Sequence, residues 1–205
     1  MMPAGLLMMP AMKQDGTPLS QRERWALCDL LTELGPDSPT LCAGWRSADL
    51  AAHLLTRERR PDTALGASTN LEPFKTWTKR VQQGVRDTET WATLISKVRS
   101  GPPALVRPLD SAINTIEYFV HHEDLRRAQP DWEPRHLEAA DETELWRRIR
   151  FMRFAPHPAA GRLVSPGLEP LVLSKKGGPT VKGRAGEVVL WLLGRKEAAH
   201  VEIAP

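Results

Sequence analysis

At 205 residues the chain can form one medium domain or a domain with a small appendage, and its 41% hydrophobic content suits a globular protein with a real core. The formal charge of +3 comes from Lys and Arg interleaved with Asp and Glu, which argues against a nucleic-acid binder with one concentrated basic face. No apolar run reaches the ~18 residues of a membrane span, and the two cysteines, Cys28 and Cys42, form neither CxxC nor a Cys/His zinc ladder, so a cytoplasmic chain with reduced thiols is expected.

Residues 1–18 are Met-rich but lack the basic leader and long apolar stretch of a secretory signal, and are expected to be a disordered tail. Ser20 followed by Glu23 has capping-box spacing, and Leu27, Leu30, Leu31 and Leu34 then repeat at helical intervals until Gly35. Residues 35–44, GPDSPTLCAG, read as a loop. Cys28 and Cys42 are both expected to be small buried hydrophobes rather than catalytic thiols.

Ser47 is the expected N-cap of a second helix, with Asp49 in the first turn where it complements the helix dipole. On that helix Leu50, His53, Leu54 and Arg57 share a face, so His53 points where leucines must be buried. Residues 60–70 form a Gly, Ser and Pro-containing loop near the mouth of a site. From Glu72 helical spacing resumes through Trp77, Val81 and Val85. Trp91, Leu94, Ile95 and Val98 then belong either to a separate helix capped by Asp87 or Thr88, or to the same helix kinked near Gly84. Residues 101–108 are a linker, and Asp110 caps the next helix.

That helix carries NTIEYFVHHEDLRR, residues 114–127, on which Ile113, Ile116, Glu117, Val120, Asp124 and Ala128 fall on one side with His121 at its edge. A carboxylate carried into a core must be paired, protonated or bound to a metal. Glu117 and His121 lie four residues apart, one turn along, so both can reach one ion, and His53 supplies a third donor from the second helix. Two His and one Glu form an open zinc arrangement that leaves a coordination position for water or substrate. The competing reading is a buried polar network that orders the helices. Asp124 is the natural supporting carboxylate or fourth ligand, while His122 and Glu123 are expected to be solvated or to face a neighbouring domain.

The helical stripes through Ala128 predict an up-and-down four-helix bundle over residues 19–130. After the QPDWEP break, residues 135–205 predict a small α+β domain. It has a helix from Asp141 bearing Leu145, Trp146, Ile149 and Met152, with Arg147, Arg148, Arg150 and Arg153 toward solvent or an acidic partner. Short β runs at 162–174 and 180–182, an apolar helix at 185–193 and a last strand at 200–203 complete it.

Three segments carry a resemblance: LCAGWRSADLAAHLLTRERRP with Trp45, Asp49 and His53; NTIEYFVHHEDLRRAQ with Glu117 and His121; and TVKGRAGEVVLWLLGR with Gly183, Leu190, Gly194 and Arg195. The sequence resembles the DinB-like superfamily, in the branch that contains mycothiol-dependent maleylpyruvate isomerase and its metal-binding relatives. The resemblance implies a four-helix bundle with a divalent metal, usually zinc, held by His53, Glu117 and His121, and a C-terminal α+β domain closing over one side. It implies a transferase or isomerase that uses a small-molecule thiol such as mycothiol on a small electrophilic substrate. Charge and hydropathy lead us to expect no nucleic-acid or membrane partner, and monomer and homodimer both stay open. Arg57, Arg127 and Arg195 are the candidates to hold a substrate carboxylate, although each is also a natural ion-pair partner. A non-catalytic protein with a structural metal is the alternative, and a metallohydrolase would need Asp124 or Asp49 as its base.

Overall fold

The computed structural model describes residues 16–60, 72–105, 107–152, 160–174 and 176–205. The expected tail, except for its last residues, and nearly all of the 60–70 loop lie outside them. The chain is α+β: seven α-helices are described, and a small four-stranded mixed sheet lies toward the C-terminus. No helix among the described residues is long and apolar enough to cross a membrane.

Helix α1 spans Leu19–Leu34 and ends where Gly35 adopts a positive φ of 79°. Its start departs from the expected capping box. Pro18 occupies the N-cap, Ser20 donates instead to Asp110, and the Glu23 carboxylate is buried against His122 and Arg135. Tertiary partners claim both side chains, Ser20 by a hydrogen bond to a carboxylate and Glu23 by ion pairing.

Helix α2, Ser47–Arg59, begins at the residue expected to cap it: Arg46, one residue earlier, is the N-cap, its backbone N–H donating to Asp49 at 2.9 Å. The Ser47 hydroxyl donates to the Gly35 carbonyl at 2.5 Å, which fixes the preceding loop. Helices α3, Glu72–Thr88, and α4, Trp91–Arg99, are separate, with Thr90 capping α4 by accepting from the Thr93 N–H. Asp87 and Thr88 are therefore not the caps, and no kink at Gly84 is needed.

A single 3-10 turn leads into α5, Asp110–Arg126, the helix that joins the two hydrophobic cores. In one core Tyr118 and Leu125 meet Leu27 and Leu31 of α1, Leu50 and Leu54 of α2, and Leu94 and Val98 of α4. In the other, Phe119 and Val120 meet Leu145, Trp146 and Ile149 of α6, Ala139–Met152, together with the C-terminal sheet and helix. A helix enclosed on two sides cannot show a clean one-sided stripe. Ile113, in the first turn of α5, is 52% exposed, contrary to its expected inward place.

Strands β1, Arg162–Val164, β2, Leu171–Val172, β3, Thr180–Lys182, and β4, Glu202–Ala204, are ordered β2-β1-β3-β4. β1 and β3 are parallel with Leu163 beside Val181, and the two outer pairings are antiparallel. Leu171, Leu163 and Val181 thus form one buried row. Gly161 is required there, because a Cβ would stand 2.6 Å from the Gly178 carbonyl oxygen. Helix α7, Ala185–Leu192, packs Gly186 so near α5 that a Cβ would meet Phe119 at 3.0 Å.

Charges also cross between the helices and the C-terminal part. His122 donates to Glu23 at 2.7 Å, Arg135 joins Glu23 to Glu123, and Arg127 joins Glu123 to Glu187 of α7. His122 and Glu123 are 6% and 1% exposed, so they are not solvated. Helix periodicity directs them away from the Glu117 face, but that direction is occupied by α1, residue 135 and α7.

Candidate metal centre

The site forms where α2 and α5 face each other. Helical geometry brings His53, from the middle of α2, to Glu117 on α5, with His53 Nε2 3.1 Å from Glu117 Oε1. One turn further along α5, His121 Nε2 lies 3.3 Å from the same oxygen. The three donor atoms all lie within 4.8 Å of one another. The rings of His53 and His121 meet edge to face at 5.2 Å, and Trp45 packs against His53 at 5.0 Å.

Burial is graded. His53 and Glu117 side chains are each 24% exposed, whereas His121 is 10% and Asp124 fully enclosed. One side of the cluster is therefore open and the other sealed. Burial opposes charge on Glu117, but hydrogen bonds from His121 and His53 and the charge of Arg57 hold its carboxyl well below the usual range. Burial likewise opposes charge on His121, yet Asp124, Cys42 and Glu117 together raise it well above the usual imidazole value.

Behind His121, Asp124 Oδ2 accepts from the imidazole Nδ1–H at 2.9 Å. With a cation bound, this bond would select the tautomer that turns the Nε2 lone pair toward the ion. Arg195, just beyond α7, donates to both Asp124 oxygens at 2.8 and 2.6 Å. Burial pushes Asp124 up, but the bonds from Arg195 and His121 prevail and hold it at about 2. Asp124 is thus an orienting anion fully engaged by donors, which makes it a poor general base.

Arg57 stands at the open side, its Nε 3.3 Å from Glu117 Oε1 and its Nη1 bound to Asn114. Asn114 donates in turn to Asp110 and Glu58, which are anchored by the fully buried Arg24. Arg127 is elsewhere, under Trp132 and bound to Glu123 and Glu187, which removes it as a candidate for substrate at this site. Asp49 pairs with Arg86 and the Arg46 N–H at the start of α2, and so serves as a helix-end anion.

One residue of the site escaped the sequence reading. Cys42 is not a buried hydrophobe: it is half-buried, with Sγ 3.2 Å from Asp124 Oδ2, 3.7 Å from an Arg195 nitrogen and 4.0 Å from His121 Nδ1. The loop is docked by the Leu41 N–H donating to the Asp124 carbonyl, a long-range bond with no local sequence signal. Cys28, in contrast, is fully buried, and burial pushes its thiol to about 12.

The donor set fits a divalent cation. Two imidazoles and a carboxylate converge on one point, a carboxylate supports the more buried imidazole, and one side is partly open. Cys42, His121 and Asp124 form a second convergent set, but the guanidinium of Arg195 already occupies the Asp124 oxygens. No protein-family model, curated protein or solved structure matches the chain.

Proposed function

We propose that the protein is a divalent-metal enzyme of the DinB-like kind, a cytoplasmic transferase or isomerase that uses a low-molecular-weight thiol such as mycothiol on a small electrophile. In this reading α1, α2, α3 with α4, and α5 make up an up-and-down four-helix bundle. His53, Glu117 and His121 would hold the ion, most simply zinc given two imidazoles and a carboxylate. The observation that carries the reading is the convergence of these three donors from two helices within 4.8 Å.

When bound, such an ion would supply Lewis acidity and favour the thiolate form of a neighbouring thiol. The chain's own residues do the rest. Asp124 fixes the His121 tautomer, and Arg195 neutralises Asp124 so that this orienting carboxylate remains ionised. Arg57 steadies Glu117 and, at 31% exposure, is the cation best placed to meet a substrate carboxylate at the open side. Trp45 walls one face of His53.

The test is turnover of small electrophiles by tag-free protein with and without mycothiol. Metal-dependent, thiol-dependent turnover that His53→Ala abolishes supports the reading. Bound metal with no effect of thiols on any electrophile, together with a large loss of melting temperature on chelation, favours a structural metal in a non-catalytic protein. The observation behind that second reading is that Asp124, the carboxylate behind His121, is saturated by donors.

A further inference from the structure

The open side of the centre is shaped by a chain of contacts that starts deep between the helices. Arg24, fully buried on α1, donates to Glu58 Oε1 at 2.7 Å and to Asp110 Oδ1 at 2.5 Å. Tyr118 adds a bond to Glu58 and Ser20 one to Asp110, so both carboxylates are fixed. Asn114, 4% exposed, sits between them and directs its Nδ2 to Asp110 Oδ1 at 2.8 Å and to Glu58 Oε1 at 3.2 Å. A carboxylate paired with Arg24 only accepts, so the amide has one compatible orientation: flipped, it would set its oxygen against the carboxylates and its N–H against a guanidinium. Its Oδ1 therefore faces Arg57 and accepts from Nη1. Arg57 follows His53 by one turn on α2, and Asn114 precedes Glu117 by three residues on α5, so the guanidinium is held across the gap by both. Nη1 is engaged by Asn114 and Nε by Glu117, whereas Nη2 has only a long 3.4 Å contact with the Ile113 carbonyl at an exposed position.

We propose that Asn114 is the positioning residue for Arg57: it fixes the guanidinium plane so that Nη2 meets the anionic end of a small carboxylate entering from the open side. This deepens the metal-enzyme reading and rests on it, since the carboxylate docks beside the position that the three donors leave open. Among the described residues, the Asn114 side chain bonds to Arg57, Glu58 and Asp110 and to none of His53, Glu117 and His121. It therefore acts on the site through Arg57. A guanidinium free to turn would lose orientational entropy on each capture of an anion, whereas one already held in place loses little.

The experiment titrates acetate into cobalt-loaded wild type, Asn114→Leu, Arg57→Ala and the double variant, read by visible absorption, with urea midpoints taken in parallel. Each single variant should weaken acetate about tenfold, the worth of one charge-assisted bond. The double variant should bind no more weakly than Arg57→Ala alone. Asn114→Ser, which keeps a hydroxyl donor for Asp110 but is too short to reach Arg57, should reproduce the loss and serves if the leucine variant unfolds. The proposal is overturned if cobalt-loaded wild type binds no acetate, or if the Asn114 variants bind it as tightly as wild type. It is equally overturned if they weaken acetate by the same factor with and without Arg57, which is what a merely structural role gives. Cobalt uptake separates this from the metal reading. A wild type that takes up no cobalt removes that reading, and the positioning is then read in the metal-free chain from the Arg57 Nε–H signal in nuclear magnetic resonance. Broadening or loss of that signal in Asn114→Ser sustains the role, and an unchanged signal overturns it.

Discussion

His121 and His122 are neighbours on α5, yet they enter clusters of opposite design. His122 donates to Glu23, whose carboxylate also takes two bonds from Arg135, and the chain of pairs continues through Glu123 and Arg127 to Glu187. The carboxylates of that network are met by guanidinium groups. His121 instead shares a single Glu117 oxygen with His53 and Arg57, and His53 and Glu117 are each about a quarter exposed. Similar residue types make a closed strut in one case and an open cluster of convergent donors in the other. Saturation and exposure, rather than composition, distinguish them.

Breaking the strut should have the largest effect on stability. Arg127→Ala leaves Glu123 and Glu187 buried and underpaired, which should cost about 3–5 kcal/mol, read as a lower urea midpoint. Acid sharpens the same contrast. Burial pushes Glu23 up, but the bond from His122 and the charge of Arg135 outweigh it and hold the carboxyl at about 2 against an ordinary 4.5. The folded value is depressed, so this stabilisation is present above pH 4.5 and is lost as pH falls toward 2. It amounts to on the order of 3 kcal/mol, and Glu23→Gln should flatten the acid limb of the stability curve in that window.

On the other side of the comparison the expected effects fall on affinity. Asp124→Asn, retaining size but losing the anion behind His121, should weaken metal binding roughly 10–100-fold, measured by competition with a chelator. His53→Ala in the metal-free protein should change stability by no more than about 1 kcal/mol, because the pair it breaks is partly exposed. Smallest is Arg86→Ala at the start of α2, where loss of an exposed pair with Asp49 should cost about 0.5 kcal/mol and leave metal uptake unchanged.

The sequence carried what is periodic. Glu117 and His121 share a face because they are four residues apart, and His53 sits on the leucine side of α2, so the convergence of the three was readable from helix geometry. Arg195 was visible only through the resemblance of the GEVVLWLLGR segment. Cys42 was not visible, because its place depends on a loop pinned to the Asp124 carbonyl from 83 residues away. Ser20 and Glu23 gave the opposite error: a valid local cap signal was overridden by Asp110, His122 and Arg135, partners that only the folded chain brings near. Local rules describe local contacts, and buried charge is spent on distant ones.

The central claim is that His53, Glu117 and His121 together hold a cation. Elemental analysis of tag-free wild-type protein beside His53→Ala tests it most directly. The account predicts about one divalent ion per wild-type chain and almost none in the variant, with both still folded by circular dichroism. A wild-type protein that is metal-free after purification and after zinc loading, or a variant that retains its ion in full, would contradict it.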